Sequence, residues 1–424
     1  MEKCGQIAKT QKGARMYARV PTSVRNISDL FKDIVSSAVD GRHYLALNML
    51  FAYFLFEFDS VSDMIRKTTW TSSPSHFLDF LDKMPTNRFL RRVQKSILRT
   101  YNASFNPEDF ILALDDTDNP KYAKMANCGR FRSSKGQFFG QKVIVLALVD
   151  ISQNFALPLA FDFIKPKKSK DHIKGPDVGF SLVKESVEAG FKSIPLMCDS
   201  WFDSAELAMK LEDIGVTYIW EVKSNRKTSA SNSKHESWKS IGDAFDCIGK
   251  KKVTNRLKKE PKFIAERFLK IRKWSKFLKV IAVYNFPSSK KPFAYYASSN
   301  RSISGAKIWE YSRARWAIEK LFRDLKQNLN FGNLASNKKV KCDLAVEIPL
   351  VLVVMIRLSP DKFGCKAGMT IGEVVRQIKK EEALKTFQAI KRDKKRTIID
   401  QILLRNQNSI KKPRITACGE NLAA

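Results

Sequence analysis

The order of apolar segments between residues 110 and 222 limits the possible folds more than any other feature of this 424-residue chain. Short apolar runs rich in β-branched residues predict strands, and apolar residues spaced three and four apart predict helices. Strands and helices alternate along the segment, which predicts an α/β protein. The predicted elements are three strands, a helix, a strand, a helix and a strand: Phe110–Leu114, Val143–Val149, Ala156–Phe163, Phe180–Ala189, Ile194–Met197, Ala205–Leu211 and Val216–Val222.

This order of elements is that of an RNase H-like core built on a mixed sheet. The segment Lys223–Lys291 interrupts the core and carries 20 Lys and Arg residues against five Asp and Glu residues. Its later part, Lys262–Tyr284, mixes aromatic and β-branched residues with basic ones, so we expect a basic, β-rich insertion. The core then resumes with a strand, a long helix and a loop: Pro292–Ser298, Ser304 to Leu329, and Gly332-Asn333.

The net charge of +33 is spread over the whole chain, whose isoelectric point is near 9.9. So large a charge predicts a polyanionic partner, with nucleic acid ahead of an anionic membrane surface. The two longest apolar runs, Tyr44–Phe58 and Ile348–Ile356, are shorter than the ~20 residues of a membrane span, and we expect them to be buried helices. The seven cysteines are scattered without a CxxC pair, which argues against a disulfide scaffold or a zinc ribbon. The expected protein is cytoplasmic and nucleoid-associated, with no membrane partner.

Three acidic residues occupy positions suited to a site. Asp115 and Asp199 each follow directly on a predicted buried strand, so each projects from a rigid strand end, where binding sites of α/β sheets form. Glu319 lies on the long helix. At ~100° per residue, one face of that helix is apolar and the other combines Glu319 with aromatic and basic residues: Tyr311, Arg315, Arg323 and Lys326.

Carboxylates beside cations suit the chemistry of phosphodiester cleavage. Two Mg²⁺ ions about 4 Å apart can activate a water molecule and stabilise the leaving oxygen of an in-line displacement. Hard divalent cations prefer carboxylate oxygens, and basic side chains position the phosphate backbone. The sequence therefore predicts a site for two Mg²⁺ ions, with Mn²⁺ as a substitute, held by Asp115, Asp199 and Glu319.

Each acidic residue also has a second interpretation. Asp116 and Asp118 compete with Asp115, because Asp-Asp-Thr-Asp-Asn-Pro is also typical of a turn. Asp199 could cap the following helix. Glu319 could be an exposed residue paired with neighbouring arginines at helical spacing.

Three segments resemble the signature regions of bacterial insertion-sequence DDE transposases, and most closely the group with a Tyr-Arg-Glu-Lys signature. They are Leu112–Asp118, Leu196–Phe202 and Tyr311–Lys326. The match covers roughly residues 105–345 and is most specific in the last segment, where three residues separate Arg315 from Glu319 and six separate Glu319 from Lys326. One departure concerns Tyr311, which has three residues rather than two between it and Arg315.

The resemblance implies an RNase H-like catalytic core that acts as a homodimer on double-stranded DNA, at terminal inverted repeats and at the target. Asp115, Asp199 and Glu319 would be the catalytic, metal-holding residues. The phosphates near the cut would be contacted by residues of the Glu319 face: Arg315, Lys326, Arg323 and Tyr311. An aromatic residue of the insertion, Trp274 or Trp238, could stack on a flipped base.

The chain is expected to divide into five regions. They are a helical N-terminal DNA-binding region (1–104) that opens with a basic arm, the first part of the catalytic core (105–222), the insertion (223–291), the second part of the core (292–345) and a helical, basic C-terminal region (346–424) that ends in a tail.

The expected enzyme is a cut-and-paste transposase that hydrolyses a strand at each element end and joins the freed 3′-OH to target DNA. The alternatives are another RNase H-like nuclease, or a transposase-derived protein that binds DNA without cleaving it.

Some positions keep two readings. The helix predicted at Asn87–Tyr101 is amphipathic with a basic face, which could lie against DNA or face solvent. The lysine run Lys165–Lys170 has the same two interpretations. Trp201 and Phe202 are interpreted as packing residues.

Overall fold

The computed structural model describes residues 41–384, except for short gaps, and residue 388. The gaps are residues 57, 59, 68–72, 85, 87–88, 102–105, 123, 134–135, 231–236, 247, 255–260, 275, 335, 364 and 367. The predicted basic arm and C-terminal tail lie outside the described residues. One compact unit ends at Val374, and a second begins at Val375, of which the structure describes a helical stretch to residue 384.

Among the described residues, four helices precede the sheet: α1 (Gly41–Phe56), α2 (Val61–Lys67), α3 (Pro74–Leu81) and α4 (Phe89–Tyr101). Residues 46–55 of α1 are almost entirely buried, which confirms the buried helix predicted there. In α4 the predicted apolar face is buried, and the arginines and lysine of the other face are exposed or half-exposed.

The central part of the chain forms six strands and two helices. They are β1 (Phe110–Pro120), β2 (Gly129–Ser133), β3 (Gly136–Asp150), β4 (Phe155–Ile164), α5 (Gly175–Ala189), β5 (Leu196–Cys198), α6 (Ala205–Asp213) and β6 (Tyr218–Glu221). β3 pairs antiparallel with both β1 and β4, whereas β5 pairs parallel with β1 and β6. The order β4-β3-β1-β5-β6, with α5 and α6 as the crossovers that parallel strands require, is an RNase H-like sheet and confirms the predicted fold class.

β1 is longer than predicted. Asp115 was expected just after the strand, but the strand continues to Pro120, and Asp115 pairs with Val145 inside the antiparallel ladder. The polar run after Leu114 has the composition of a turn. It is extended because β3, which begins at Gly136, offers backbone partners along its whole length.

The insertion extends the same sheet. Its strands are β7 (Lys227–Ser229), β8 (Lys239–Ser240), β9 (Lys251–Val253), β10 (Lys262–Ile271) and β11 (Phe277–Tyr284), and β12 (Ala294–Ser298) returns to the core. β12 pairs with both β6 and β11, so the described strands continue from β6 through β12, β11, β10 and β7 to β8. The insertion is β-rich as expected, and its sheet is continuous with that of the core.

The long helix predicted from Ser304 to Leu329 is two helices, α7 (Gly305–Ala314) and α8 (Trp316–Asn328). They meet at Arg315, where Ile318 N–H donates to the carbonyl of Arg315 at 2.9 Å, a three-residue rather than four-residue step. No glycine or proline marks this point, so the sequence pattern predicted an unbroken helix. The predicted loop at Gly332 and Asn333 follows.

Helix α9 (Lys339–Leu358) is buried along almost its whole length and contains Pro349. Proline lacks the N–H that would bond to the carbonyl four residues earlier, here Ala345. That carbonyl accepts instead from Gly332 N–H at 2.9 Å. The interruption in α9 is therefore used to anchor the loop that follows α8. No described helix is long and apolar enough to cross a bilayer.

Gly332 is fixed from a second side. Its φ of 70° favours glycine, and an added Cβ would overlap the side-chain amide of Asn119 on β1. Its carbonyl accepts from Lys121 Nζ at 2.5 Å, and Asn119 donates to Gln141 at 2.9 Å. The backbone at Gly332 thus joins α8, α9 and β1.

Glu347 of α9 is fully buried, and its Oε1 accepts from the backbone N–H groups of Phe89 and Leu90 at 3.0 and 3.2 Å. Those N–H groups open α4 and have no partner within the helix. A carboxylate at a helix N-terminus also interacts favourably with the helix dipole. The buried side chain of Glu347 therefore attaches the N-terminus of α4 to α9.

Gly332→Ala is expected to destabilise the protein by about 2 kcal/mol or more, because it adds a strained positive φ to a steric overlap with Asn119. Urea unfolding followed by circular dichroism measures the change. Gly249→Ala is the matched control, since its Cβ would meet no atom within 4 Å. Equal stability of the two variants would contradict this account of the loop.

Glu347→Ala is expected to lower the free energy of unfolding by about 2 kcal/mol or more, because two buried N–H groups lose their acceptor. Glu347→Gln keeps an acceptor oxygen, so its loss is expected to be smaller. Glu188→Ala on the exposed side of α5 is the control and should change stability by less than about 0.5 kcal/mol. A Glu347→Ala protein as stable as the control would show that this cap does not hold α4.

Candidate active site

Three acidic residues lie level with one another where the parallel strands end. The last paired residues are Leu114 with Cys198 and Cys198 with Trp220, so the next residues are Asp115, Asp199 and Glu221. Side chains alternate between the faces of a sheet, and neighbouring strands are about 4.8 Å apart. The register therefore puts the three carboxylates side by side on one face.

Arg315 connects this row to the helix that carries Glu319. Its Nη1 is 2.9 Å from Oδ2 of Asp115, and its Nη2 is 3.1 Å from Oε1 of Glu319. The side chain of Arg315 is only 12% exposed, so the break between α7 and α8 directs a buried guanidinium at the sheet. The structure thus brings together Asp115, Asp199, Glu319 and Arg315, as the sequence predicted.

Burial and the neighbouring charges both shift the pKa values at this site. Burial raises the pKa of Asp115 to about 7; the guanidinium of Arg315 offsets part of this, and the charge of Asp199 adds to it. Burial would lower the pKa of Arg315, but four surrounding carboxylates together raise it: Asp115, Glu319, Asp199 and Glu221. The pKa of Arg315 rises despite its burial because the carboxylates around it outnumber the cations.

The donor set fits divalent cations. Four carboxylates and one guanidinium leave three negative charges when all are ionised, and carboxylate oxygens are the ligands that Mg²⁺ prefers. Within the described part of the chain, no three potential ligands converge on one point as they stand. The guanidinium of Arg315 lies between Asp115 and Glu319. A cation bound by both carboxylates would require that side chain to move aside.

Asp116, the competitor of Asp115, belongs to the other face of β1. Its Oδ2 is 2.7 Å from Lys142 Nζ, which also contacts Asp118 at 3.3 Å. Lys142 is paired with Asp118 across the ladder, so these side chains share a face that Asp115 does not. Because Lys142 compensates the other two, the geometry favours Asp115 as the site residue.

The alternative that Asp199 caps the next helix is wrong. Helix α6 is capped by Ser204, whose hydroxyl accepts from Leu207 N–H at 3.3 Å. Asp199 instead accepts from Trp201 N–H at 2.9 Å, in the turn that leaves β5. Phe202 is fully buried, which confirms it as a packing residue. Trp201 packs edge-to-face on it at 4.8 Å between ring centroids but is 40% exposed, so its interpretation as a packing residue stays a prediction.

The predicted phosphate-contacting residues differ in exposure. Arg323 and Lys326 are exposed on α8, and Arg315 is directed at the carboxylates. Tyr311 is only 3% exposed, and its hydroxyl donates to the carbonyl of Glu108 at 3.3 Å. A phosphate could reach Tyr311 only if this packing opened.

Trp274 is a core residue, which corrects its suggested role as a base-stacking aromatic. Its ring packs against Tyr218 and Trp220 with centroids 6.0 and 5.4 Å away. The sequence could not separate it from Trp238, which is half-buried in the insertion. Of the basic surfaces, Arg91 on α4 is paired with Glu185 at 2.9 Å, and Lys165 with Asp171 at 3.1 Å.

Glu221 was missed by the sequence analysis. It lies at the end of the third parallel strand, the position that drew attention to the first two carboxylates. Burial raises the pKa of Glu221; Arg315 offsets this, and Asp199 and Glu319 add to the rise. The sequence contained a signal for Glu221, namely a carboxylate at the end of a predicted buried strand. Glu221 lies at the end of the predicted strand Val216–Val222, much as Asp199 lies just beyond its own strand.

Asp115→Asn is expected to stabilise the metal-free protein, and more so as pH rises. The folded pKa of Asp115, about 7, exceeds its usual value of 3.8, so between these two pH values the unfolded state loses the proton that the folded state keeps. The stability of wild type therefore falls as pH rises through this range and levels off above about pH 7. Asparagine has no such cost. Because one pKa unit corresponds to about 1.4 kcal/mol, the gain at pH 8 should exceed the gain at pH 5 by more than about 1 kcal/mol.

Urea unfolding in the presence of EDTA at both pH values measures this gain, with Asp213→Asn on the exposed end of α6 as the control. A gain that is absent, or the same at pH 5 and pH 8, would contradict the excess of negative charge inferred at the site.

Comparison with known proteins places this geometry in a family. A model of the Transposase DDE domain matches residues 122–348, more than half of the chain, beginning just after Asp115. No curated protein matches the sequence significantly. Among solved structures, the chain is similar to a piggyBac transposase in a synaptic complex with hairpin DNA, with a TM-score of 0.44 and 14% sequence identity over 89% of this chain and 77% of that one. On the family match, the chain belongs to the DDE-domain transposases.

Proposed function

We propose that this transposase performs cut-and-paste transposition: Mg²⁺-dependent hydrolysis of a strand at each end of a DNA element, followed by transfer of the freed 3′ end to target DNA. The observation that supports the proposal is the gathering of Asp115, Asp199 and Glu319 around Arg315 on one face of an RNase H-like sheet.

The three acidic residues would hold the metal ions through their carboxylate oxygens. When bound, such ions activate the attacking oxygen and stabilise the leaving oxygen of an in-line displacement. In the first step a water oxygen bonds to phosphorus and the 3′ oxygen leaves with a proton. In the second step that 3′-OH attacks a target phosphodiester, whose own 3′ oxygen leaves. One site can catalyse both because each is a displacement at phosphorus.

Basic side chains near the carboxylates would position the DNA. Arg323 and Lys326 are exposed on the helix of Glu319, so a backbone that approaches the carboxylates passes them. Arg315 would exchange its present partners for a phosphate when cations occupy the carboxylates, since its charge is no longer needed there. This movement removes the guanidinium from between Asp115 and Glu319 and frees both for the metal.

The partner would be double-stranded DNA at the element ends and the target, bound by a homodimer in the cytoplasm at the nucleoid. The net charge of +33 supports a polyanionic partner. The sheet of the insertion is continuous with the catalytic sheet, so its lysines and arginines have a fixed relation to the cut. One continuous sheet would thus carry both the basic residues that bind DNA and the carboxylates that cleave it.

The test is cleavage and joining, with Mg²⁺, of a duplex carrying the inverted repeats that flank the coding gene. Wild type is expected to cut at the repeat boundary. Asp199→Asn and Glu319→Gln are expected to bind the same duplex and to cut it at least about 100-fold more slowly. Glu206→Gln, on the exposed side of α6, is the matched control and should cut as wild type does.

Two outcomes would replace the proposal. Cleavage that ignores the repeat ends would indicate a different RNase H-like nuclease. Binding of the repeats without cleavage in Mg²⁺ or Mn²⁺ would indicate a DNA-binding protein derived from a transposase.

A further inference from the structure

Glu221 stands in the active-site row without a role in the proposed chemistry. Trp220 is level with Cys198, so Glu221 is level with Asp199 on the adjacent parallel strand. The alternation along β6 fixes its direction: Tyr218 and Trp220 stack together on one face, which leaves Ile219 and Glu221 on the other. That other face is the one on which Asp115 meets Arg315.

The carboxylate of Glu221 is half-buried and has no directly bonded cation among the described residues. With the described residues it forms no ion pair and no side-chain hydrogen bond, although Arg315 and Asp199 are near enough to act on it electrostatically. A carboxylate held in this way costs free energy unless a cation neutralises it. On the same strand, Tyr218 hydrogen-bonds to Glu212 at 2.8 Å, so polar groups there do find partners when one is in reach.

Arg315 already forms two direct ion pairs. Its two terminal nitrogens bond to Asp115 and Glu319, so Asp199 and Glu221 share no directly bonded cation in this arrangement. Adjacent strands about 4.8 Å apart place these two carboxylates where one ion could contact both.

We propose that Glu221 is a fourth acidic residue of the active site and holds a divalent cation together with Asp199. This inference rests on the proposed function, because it adds a ligand to the same metal site. It also accounts for four acidic residues at the site: once Arg315 has turned to a phosphate, their four negative charges are balanced by two divalent cations.

Binding of Mn²⁺ to the full-length protein, followed by electron paramagnetic resonance of the free ion, tests the inference without measuring cleavage. Glu221→Gln is expected to weaken Mn²⁺ binding by about 10-fold or more. Glu221→Asp keeps the charge and should weaken it less. Glu206→Gln is the matched control. A Glu221→Gln protein that binds Mn²⁺ as wild type does would overturn the inference, even if it cut DNA more slowly.

Asp199→Asn and Glu319→Gln separate this inference from the proposed function. If both weaken Mn²⁺ binding and Glu221→Gln does not, only the role of Glu221 fails. If none of the three weakens it, the metal site itself fails.

Iron-directed cleavage of the wild-type backbone gives a second measurement that does not depend on how the variants fold. With Fe²⁺ and ascorbate in place of Mg²⁺, hydroxyl radicals cut the chain next to bound iron. Cuts are expected near residues 199 and 221. Cuts near residue 199 without any near residue 221 would also overturn the inference.

Discussion

The parallel register of β1, β5 and β6 is the constraint on which the active site depends. Pairing of Leu114, Cys198 and Trp220 brings together residues far apart in the chain, and it sets the three residues that follow at one height. Side chains of level residues in adjacent strands point the same way. A shift of one residue in either ladder would turn a carboxylate to the opposite face, where Lys142 contacts Asp116 and Asp118.

Charge is distributed in opposite senses at two length scales. The whole chain carries +33, which attracts a polyanion over the distance that salt allows. The candidate site has more carboxylates than cations, an arrangement that favours small cations over a few ångströms, and burial raises the pKa of Asp115 there to about 7. Phosphodiester chemistry needs both, because the DNA backbone must approach and divalent cations must lie between it and the carboxylates. Arg315 would act in both ways. Its charge offsets that of the carboxylates, and under the proposed function it would contact a DNA phosphate once cations take its place.

The helix that carries Glu319 is held from behind by buried polar contacts. The loop after α8 is fixed by Gly332, which donates to the carbonyl left free by Pro349 and accepts from Lys121. Helix α9 in turn caps α4 through Glu347. Buried polar groups are costly unless paired, so each of these contacts permits few alternative arrangements. The position of Glu319 relative to the sheet is thus determined by the packing of α9 as well as by α8 itself.

The sequence by itself determined the order of the core strands and helices and the basic β-rich insertion, and it offered Asp115, Asp199 and Glu319 as candidate site residues, because apolar periodicity and turn composition are local properties of the chain. It was wrong where local composition and tertiary partners disagree. The polar run after Leu114 is strand because β3 supplies its hydrogen bonds, the helix breaks at Arg315 without a glycine or proline, and Trp274 is buried against two aromatic rings. Only the tertiary structure decided that Asp115 rather than Asp116 faces Arg315, and that Glu221 stands beside Asp199. Those facts depend on the register between strands, and no local pattern encodes a register that is set by the packing of segments distant in the chain.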